Sequence, residues 1–338
     1  MAAAFASIAV VIPCYRVREH VLAVIAAIGA EVQHIYIVDD ACPQSTGRFV
    51  REQCRDARIT VITHDQNRGV GAAMVSGYRA ALDDGADVIV KIDGDGQMDP
   101  ACLPQIAGPV AAGVADYAKG NRFYDFELLD EMPRLRLVGN AIVSLVSKIA
   151  SGYWDVMDPT NGYTAVHRAA LLRLPLDKLD SRYFFESDML FRLYTIRAVV
   201  QDVPLPSRYR GEPSSLSLRR AAISFPVKYA RATIKRIFYA YFLRDFNAGT
   251  LLLVLGGLLA SAGAAFGAWE WHQSIVSGVP TTSGTVMLAA LPALAGLQLL
   301  LSALQFDIQN VPRIPLQQLD AQRALPRGVA AEVTRRLA

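Results

Sequence analysis

Three aspartates, Asp93, Asp95 and Asp99, fall within seven residues at the end of the run "VIVKI", with Gln97 between the last two. Like charges this close destabilise one another unless a cation or hydrogen-bond donors compensate them. Carboxylate and amide oxygens suit a hard divalent ion, which takes one or two protein carboxylates and completes its shell from substrate phosphates. Asp95 and Gln97 have the right chemistry, and Gly94 and Gly96 let the backbone turn tightly around them. An ion held there would act as a Lewis acid on charge developing at a phosphate leaving group. A solvated Asp/Gly turn is the alternative, so the surrounding chain has to decide.

Other residues could handle anions or hydroxyls. Arg122 in "GNRF" and Arg210 in "YRGEPSSL" carry the planar fork that matches phosphate oxygens, although either also suits a surface salt bridge. Glu186 and Asp188 in "FESDM" open a helical stretch, where they either orient substrate hydroxyls or the metal shell or stabilise the helix N-terminus. Asp158 in "DPTNGY" is open between a sugar contact and a loop cap. The five histidines have no metal-like spacing and receive no role. Cys14, Cys42, Cys54 and Cys102 form no C-x-x-C pair and read as reduced thiols.

The elements that must position these residues alternate in type. "IAVVIP", "HIYIVDD", "ITVIT" and "ADVIVKID" are apolar strands separated by the helical patterns "HVLAVIAAI", "GRFVREQC" and "GAAMVSGYRAAL". This order predicts a parallel sheet with helices on both faces. Ligands bind such sheets beyond the carboxyl ends of the strands. "PCY" (13–15), "DDACPQST" (39–46) and "DGDGQMDP" (93–100) follow the first, second and fourth strands, so they should meet there. Further on, "KGNRF" ends a strand, "PRLRLVGNAIVSLVSKIASG" reads as a long helix, and "VVQDVP" reads as a short strand.

The hydrophobic share of 52% is concentrated late in the 338-residue chain. Twenty-four uncharged residues separate Asp245 from Glu270, and a second uncharged stretch runs from Gln273 to Phe306. Each supplies the ~20 apolar residues that a bilayer span requires. Nine Lys or Arg against one acid lie between Arg208 and Arg244, the intervening turn has none, and arginines follow the second span. By the positive-inside rule, both flanks lie in the cytoplasm. Within 224–244, Lys228, Arg231 and Lys235 share one helical face, as in an amphipathic helix at the headgroup layer. The start "MAAAFASIAVVIPC" lacks a basic n-region and reads as a strand, not a signal peptide. The net charge of +3 makes no case for nucleic acid. Small residues at Gly256/Ala260/Ala264 and Gly263/Gly267 permit close helix packing and hence a homo-oligomer.

In their order and spacing, "VVIPCY", "IVDDACPQST", "NRGVGAAMVSGYRAA", "DGDGQ", "GNRF", "DPTNGY", "FESDM" and "YRGEPSSL" resemble the family 2 inverting glycosyltransferases of the GT-A fold. Within these, the chain is similar to the polyprenyl-phosphate glycosyltransferases, the bacterial relatives of dolichol-phosphate mannose synthase. The resemblance covers roughly residues 8–220, and the two-span tail matches one subgroup. It implies a Rossmann-like α/β domain (1–220), amphipathic juxtamembrane helix (221–244), two-helix transmembrane hairpin (245–308; spans about 247–269 and 285–306) and cytoplasmic tail (309–338). Pro13 and Tyr15 would line the nucleotide base, with Asp40 (less well, Asp39) hydrogen-bonding it. Asp93 would sit near the ribose and belong to the metal site, and Gly94 would join the nucleotide-sugar contacts. Asp95 and Gln97 would ligate Mg²⁺ or Mn²⁺. Arg122 would contact phosphate, and Arg210, Ser214 and Ser215 would meet the acceptor phosphate. Asp188, where hydroxyl-transferring relatives keep their base, joins Asp95, Arg122 and Arg210 as a catalytic candidate. Val17 stands where many relatives have an acid, and Ser215 where some have lysine.

The implied partners are a nucleoside-diphosphate sugar, UDP preferred over GDP, and a polyprenyl phosphate in the inner membrane. Three other activities compete with this one. A processive polysaccharide synthase would carry Q-x-x-R-W and more spans, and neither is present. A catalytically silent sugar-nucleotide sensor or scaffold would not need the intact D-x-D-x-Q. A nucleotidyltransferase would release diphosphate instead of a nucleoside diphosphate.

Overall fold

The structure, a computed structural model, describes residues 6–124, 134–206 and 218–324. It divides into two compact units: one runs to Thr233 and resumes at Pro312, and the other is Ile234–Val311.

The first unit is built on seven strands: β1 (Ile8–Cys14), β2 (Val32–Asp39), β3 (Ile59–Thr63), β4 (Val88–Lys91), β5 (Tyr117–Asn121), β6 (Thr164–His167) and β7 (Val200–Pro204). Their order across the sheet is β3-β2-β1-β4-β6-β5-β7. The β3-β2-β1-β4 half is parallel throughout, as the alternating pattern predicts. β6 runs antiparallel to both neighbours, while β5 and β7 pair parallel. The sheet is therefore mixed and mostly parallel. Helices α1 (Val21–Ala26), α2 (Thr46–Gln53), α3 (Val70–Asp83) and α4 (Leu103–Ala111) connect the strands. Val10, Ile12, Ile35, Ile37, Val88 and Val90 are sealed in the core between them. A continuous apolar run is what a strand covered on both faces requires.

After β5 come α5 (Arg134–Ser151), a single turn α6 (Arg168–Leu171) and α7 (Phe185–Thr195), followed beyond β7 by α8 (Leu218–Phe238). A second core joins Ala150 of α5, Phe191 of α7 and Tyr229 and Ala232 of α8, with Phe184 between them. Lys228 bonds Asp180 and lies 5.3 Å from the centre of the Phe184 ring, which ties α8 to the loop before α7.

The chain returns to the first unit after the hairpin. Leu316, at the start of α11 (Leu316–Ala324), is buried, and its amide donates to Asp116 at 2.9 Å. Asp320 makes a two-pronged bond with Arg173. Residues 312–324 thus belong to the first unit.

The second unit contains α9 (Ala248–Ser277) and α10 (Ser283–Gln309), both long and apolar enough to cross a bilayer. Close approaches pair residue numbers that rise along α9 with numbers that fall along α10, so the helices are antiparallel. A Cβ on Gly256 would meet Leu299 Cβ at 3.0 Å, and one on Gly263 would meet Ala293 N at 2.5 Å. From the other helix, a Cβ on Gly296 would come within 2.2 Å of Ala260 N. The small-residue stripe is therefore used inside one chain, which removes the argument from Gly256, Ala260 and Gly263 for association between copies. At one end of the hairpin, buried Asp307 accepts from Arg236 at 2.6 Å and Tyr241 Oη at 2.5 Å.

Gly296→Leu is expected to lower the thermal midpoint of the detergent-solubilised protein, because overpacking of this kind costs about 1–3 kcal/mol. Gly257→Leu, where a Cβ would meet no other part of the described residues within 4 Å beyond its own helix backbone, should leave it unchanged.

Candidate active site

The carboxyl ends of β2, β1 and β4 are adjacent in the sheet, with Cys14 in register with Asp39 and Val11 with Lys91. The three segments after those strands therefore share one edge of the sheet, as the topology argument predicts. Tyr15 is exposed at this edge and Pro13 is half-buried.

The two aspartates at the end of β2 are committed to the fold. Asp39 accepts from the amides of Cys42 (2.7 Å) and Gly47 (2.6 Å), which closes the "DACPQSTG" loop. Asp40 is buried, and its oxygens accept from the amides of Arg68 (2.8 Å) and Gly69 (2.7 Å). Its Oδ1 also lies 2.7 Å from His64 Nδ1, and His64 Nε2 lies 2.9 Å from Ser76 Oγ. Asp40 thus ties the "NRGVG" turn to the sheet, and His64, given no role by spacing alone, is part of that tie.

In the turn after β4, Gly94 is buried, Asp95 half-buried and Gln97 exposed. Asp95 Oδ1 accepts from the Gln97 amide at 3.0 Å, and Gly96 takes φ +75°, a conformation that favours glycine. Asp93 is 2.8 Å from the buried Lys91 ammonium, and Glu186, in the first turn of α7, is 3.4 Å from the same nitrogen. Among the described residues, no three His, Cys, Asp or Glu side chains form a ready-made cation cage. Asp95 and Gln97 nevertheless fit a hard ion that takes the rest of its shell from a diphosphate, since both offer oxygen at a partly open edge.

Next to this turn, Arg122 is held by Asp158, which is fully buried, at 2.7 Å and 3.0 Å. The cap and phosphate-contact readings meet in this pair: Asp158 fixes the arginine that sequence assigned to phosphate. Asp188 accepts from Arg192 Nε at 2.8 Å and the Asp180 amide at 2.9 Å, so it braces the loop before α7. Arg210, Ser214 and Ser215 lie outside the described residues.

Two buried lysines diverge electrostatically. Burial pushes Lys119 down to about 8, against the raising influence of Glu186 and Asp158. Burial acts downward on Lys91 as well, but Asp93 and Glu186 outweigh it and hold its pKa above the ordinary lysine value. The difference is local: Lys119 donates to the Asn161 carbonyl, whereas Lys91 faces two carboxylates. Across from Lys119, burial raises Asp202 to about 6, and one of its oxygens has no hydrogen-bond partner among the described residues.

The chain matches Glycosyl transferase family 2 across residues 9–174. It is 31% identical over 201 residues to the polyprenol monophosphomannose synthase of Mycolicibacterium smegmatis, covering 58% of this chain and 75% of that protein. It belongs to the family 2 glycosyl transferases. The enzyme is also 31% identical over 173 residues to the undecaprenyl-phosphate mannosyltransferase of Micrococcus luteus, covering 51% and 70% of the two chains. A Methanococcus voltae protein named UDP-N-acetylglucosamine–dolichyl-phosphate N-acetylglucosaminyltransferase is 27% identical over 215 residues, covering 60% and 85%. Among solved structures, glucosyl-3-phosphoglycerate synthase from Mycobacterium tuberculosis superposes with a TM-score of 0.51 at 18% identity, covering 71% of this glycosyltransferase and 82% of that chain. That likeness establishes the GT-A fold.

The Asp202 shift has a testable consequence. Between the ordinary Asp value near 3.8 and about 6, the folded state holds this proton more tightly than the unfolded chain, so stability falls as pH rises through that window. Asp202→Asn should remove that part of the slope, a difference on the order of 1–3 kcal/mol between pH 4 and pH 6 in denaturant titrations. Parallel curves for the two proteins would contradict it.

Proposed function

We propose that this glycosyltransferase moves one sugar from a nucleoside-diphosphate sugar to a polyprenyl phosphate, with inversion, at the cytoplasmic face of a membrane that it spans twice. One observation carries the reading: a family 2 catalytic unit and two bilayer-length helices share one chain, and the segments flanking those helices fold into one unit. Flanks that fold together lie on one side of the membrane, which requires an even number of crossings. The basic segment before the hairpin makes that side the cytoplasm.

The acceptor class is supported by the names of the relatives, which share a polyprenyl-type phosphate while differing in sugar. It also suits the exposed surface. Val138, Ile142, Leu145 and Ile149 form an exposed apolar stripe at helical spacing along α5. α5 packs through Val146 and Ala150 against α8, on which Val227 is exposed. Such faces suit the boundary between headgroups and acyl chains.

The chemistry asks little proton transfer of the protein. A phosphate monoester has its second pKa at ~6 and is mostly dianionic at neutral pH, so it attacks the anomeric carbon without a general base. Tyr15 and Pro13 receive the base of the donor at the sheet edge. Asp95 and Gln97 would hold Mg²⁺ or Mn²⁺, which when bound offsets negative charge on the departing diphosphate. Arg122, fixed by Asp158, offers its guanidinium to phosphate, and Arg210 with Ser214 and Ser215 completes the acceptor side. Glu186 and Asp188 set the position of α7 against the donor sugar.

Incubation with a panel of radiolabelled nucleotide sugars, UDP-sugars first, and a short-chain polyprenyl phosphate should give one labelled lipid product that depends on a divalent ion. Asp95→Ala is expected to reduce transfer at least ~100-fold with the thermal midpoint unchanged. Label appearing only in free sugar, or transfer unaffected by Asp95→Ala, would refute the assignment.

A further inference from the structure

The carboxylate turn stands on a buried lysine. Lys91 closes β4, with β1 on one side and β6 on the other, so its backbone is fixed from both flanks. Its side chain is 1% exposed, and its ammonium lies 2.8 Å from Asp93 and 3.4 Å from Glu186. These two acids are far apart in sequence, one at the end of a central strand and the other in the first turn of α7. The site is cut to this arrangement: a Cβ on Gly162 would lie 2.4 Å from Lys91 Nζ and 2.9 Å from Asp93 Oδ2.

We propose that Lys91 is a positioning residue for the transfer reaction: its sealed ammonium clamps Asp93 to Glu186 and keeps both carboxylates from drawing the cation away from Asp95 and Gln97. This rests on the reading of that turn as a divalent-cation site. A buried cation is tolerated only when well paired, and here it faces two anions. Removing it would leave two neighbouring carboxylates without their internal counter-charge, and they would recruit an external one. The neighbouring buried lysine differs, since Lys119 donates to a backbone carbonyl. Burial of a lysine is thus not enough to make this clamp; the shared contact with Asp93 and Glu186 makes it.

Loss of the clamp should move metal binding and turnover in opposite directions, which a general loosening of the fold would not do. The test is Mn²⁺ binding to the full-length protein in detergent, followed by electron paramagnetic resonance, without donor and then with UDP, alongside steady-state kinetics. Wild type should bind Mn²⁺ in the presence of UDP. Lys91→Met should bind Mn²⁺ alone about fivefold or more tightly than wild type, as expected from loss of a nearby positive charge. Its kcat should fall about tenfold or more while the donor KM changes by less than about threefold, as a positioning role requires. Glu186→Gln keeps the lysine and removes one anion, and it answers the question even if Lys91→Met does not fold: Mn²⁺ binding should weaken about threefold or more. Folded Lys91→Met with unchanged or weaker Mn²⁺ affinity overturns the clamp, as does Glu186→Gln with unchanged affinity. Wild type that binds no Mn²⁺ even with UDP overturns the cation-site reading itself, and the clamp with it.

Discussion

Negative charge gathered at the carboxyl end of β4 is the constraint around which this site is organised. Asp93, Asp95 and Asp99 occupy one turn, and Glu186 arrives from α7. Carboxylates this close cannot all remain ionised without compensation. The protein supplies part of it from beneath, through Lys91, and part through backbone amides such as that of Gln97. What remains is directed to the open edge, where Asp95 and Gln97 suit a hard cation and the diphosphate it accompanies.

The same principle orders the rest of the edge. Asp39 and Asp40 accept hydrogen bonds from backbone amides, and Asp40 also meets His64, so both serve the two loops at this edge of the sheet. Asp158 is matched by Arg122, and Asp188 by Arg192. Almost every acid that sequence assigned to the ligand therefore also holds a piece of the scaffold. This family 2 glycosyltransferase presents a rim of paired charges at the sheet edge.

Much of this was legible in the sequence. The first four strands and their helices follow from apolar runs broken by helical spacing, and β3 spans the predicted "ITVIT". The hairpin follows from its lack of charge. The less legible parts depend on contacts distant in sequence. Lys91 looks like a polar interruption in "VIVKI", and only the fold brings Glu186 to it. β6 reverses direction because of topology, which local pattern does not encode. α4 contains Pro109 in its interior, a residue that ordinarily argues against a helix. The small residues of α9 predicted close packing correctly but not the partner, which is α10 of the same chain. The return of Leu316 to Asp116 spans 200 residues and carries no local signal.

The central claim, that the turn after β4 grips a divalent ion together with the donor's diphosphate, is tested most directly by anomalous X-ray scattering at the manganese edge from crystals grown with Mn²⁺ and UDP. The account predicts a manganese peak within bonding distance of Asp95, adjoining the diphosphate. Bound UDP with no manganese at that turn, or manganese held elsewhere in the protein, would contradict it.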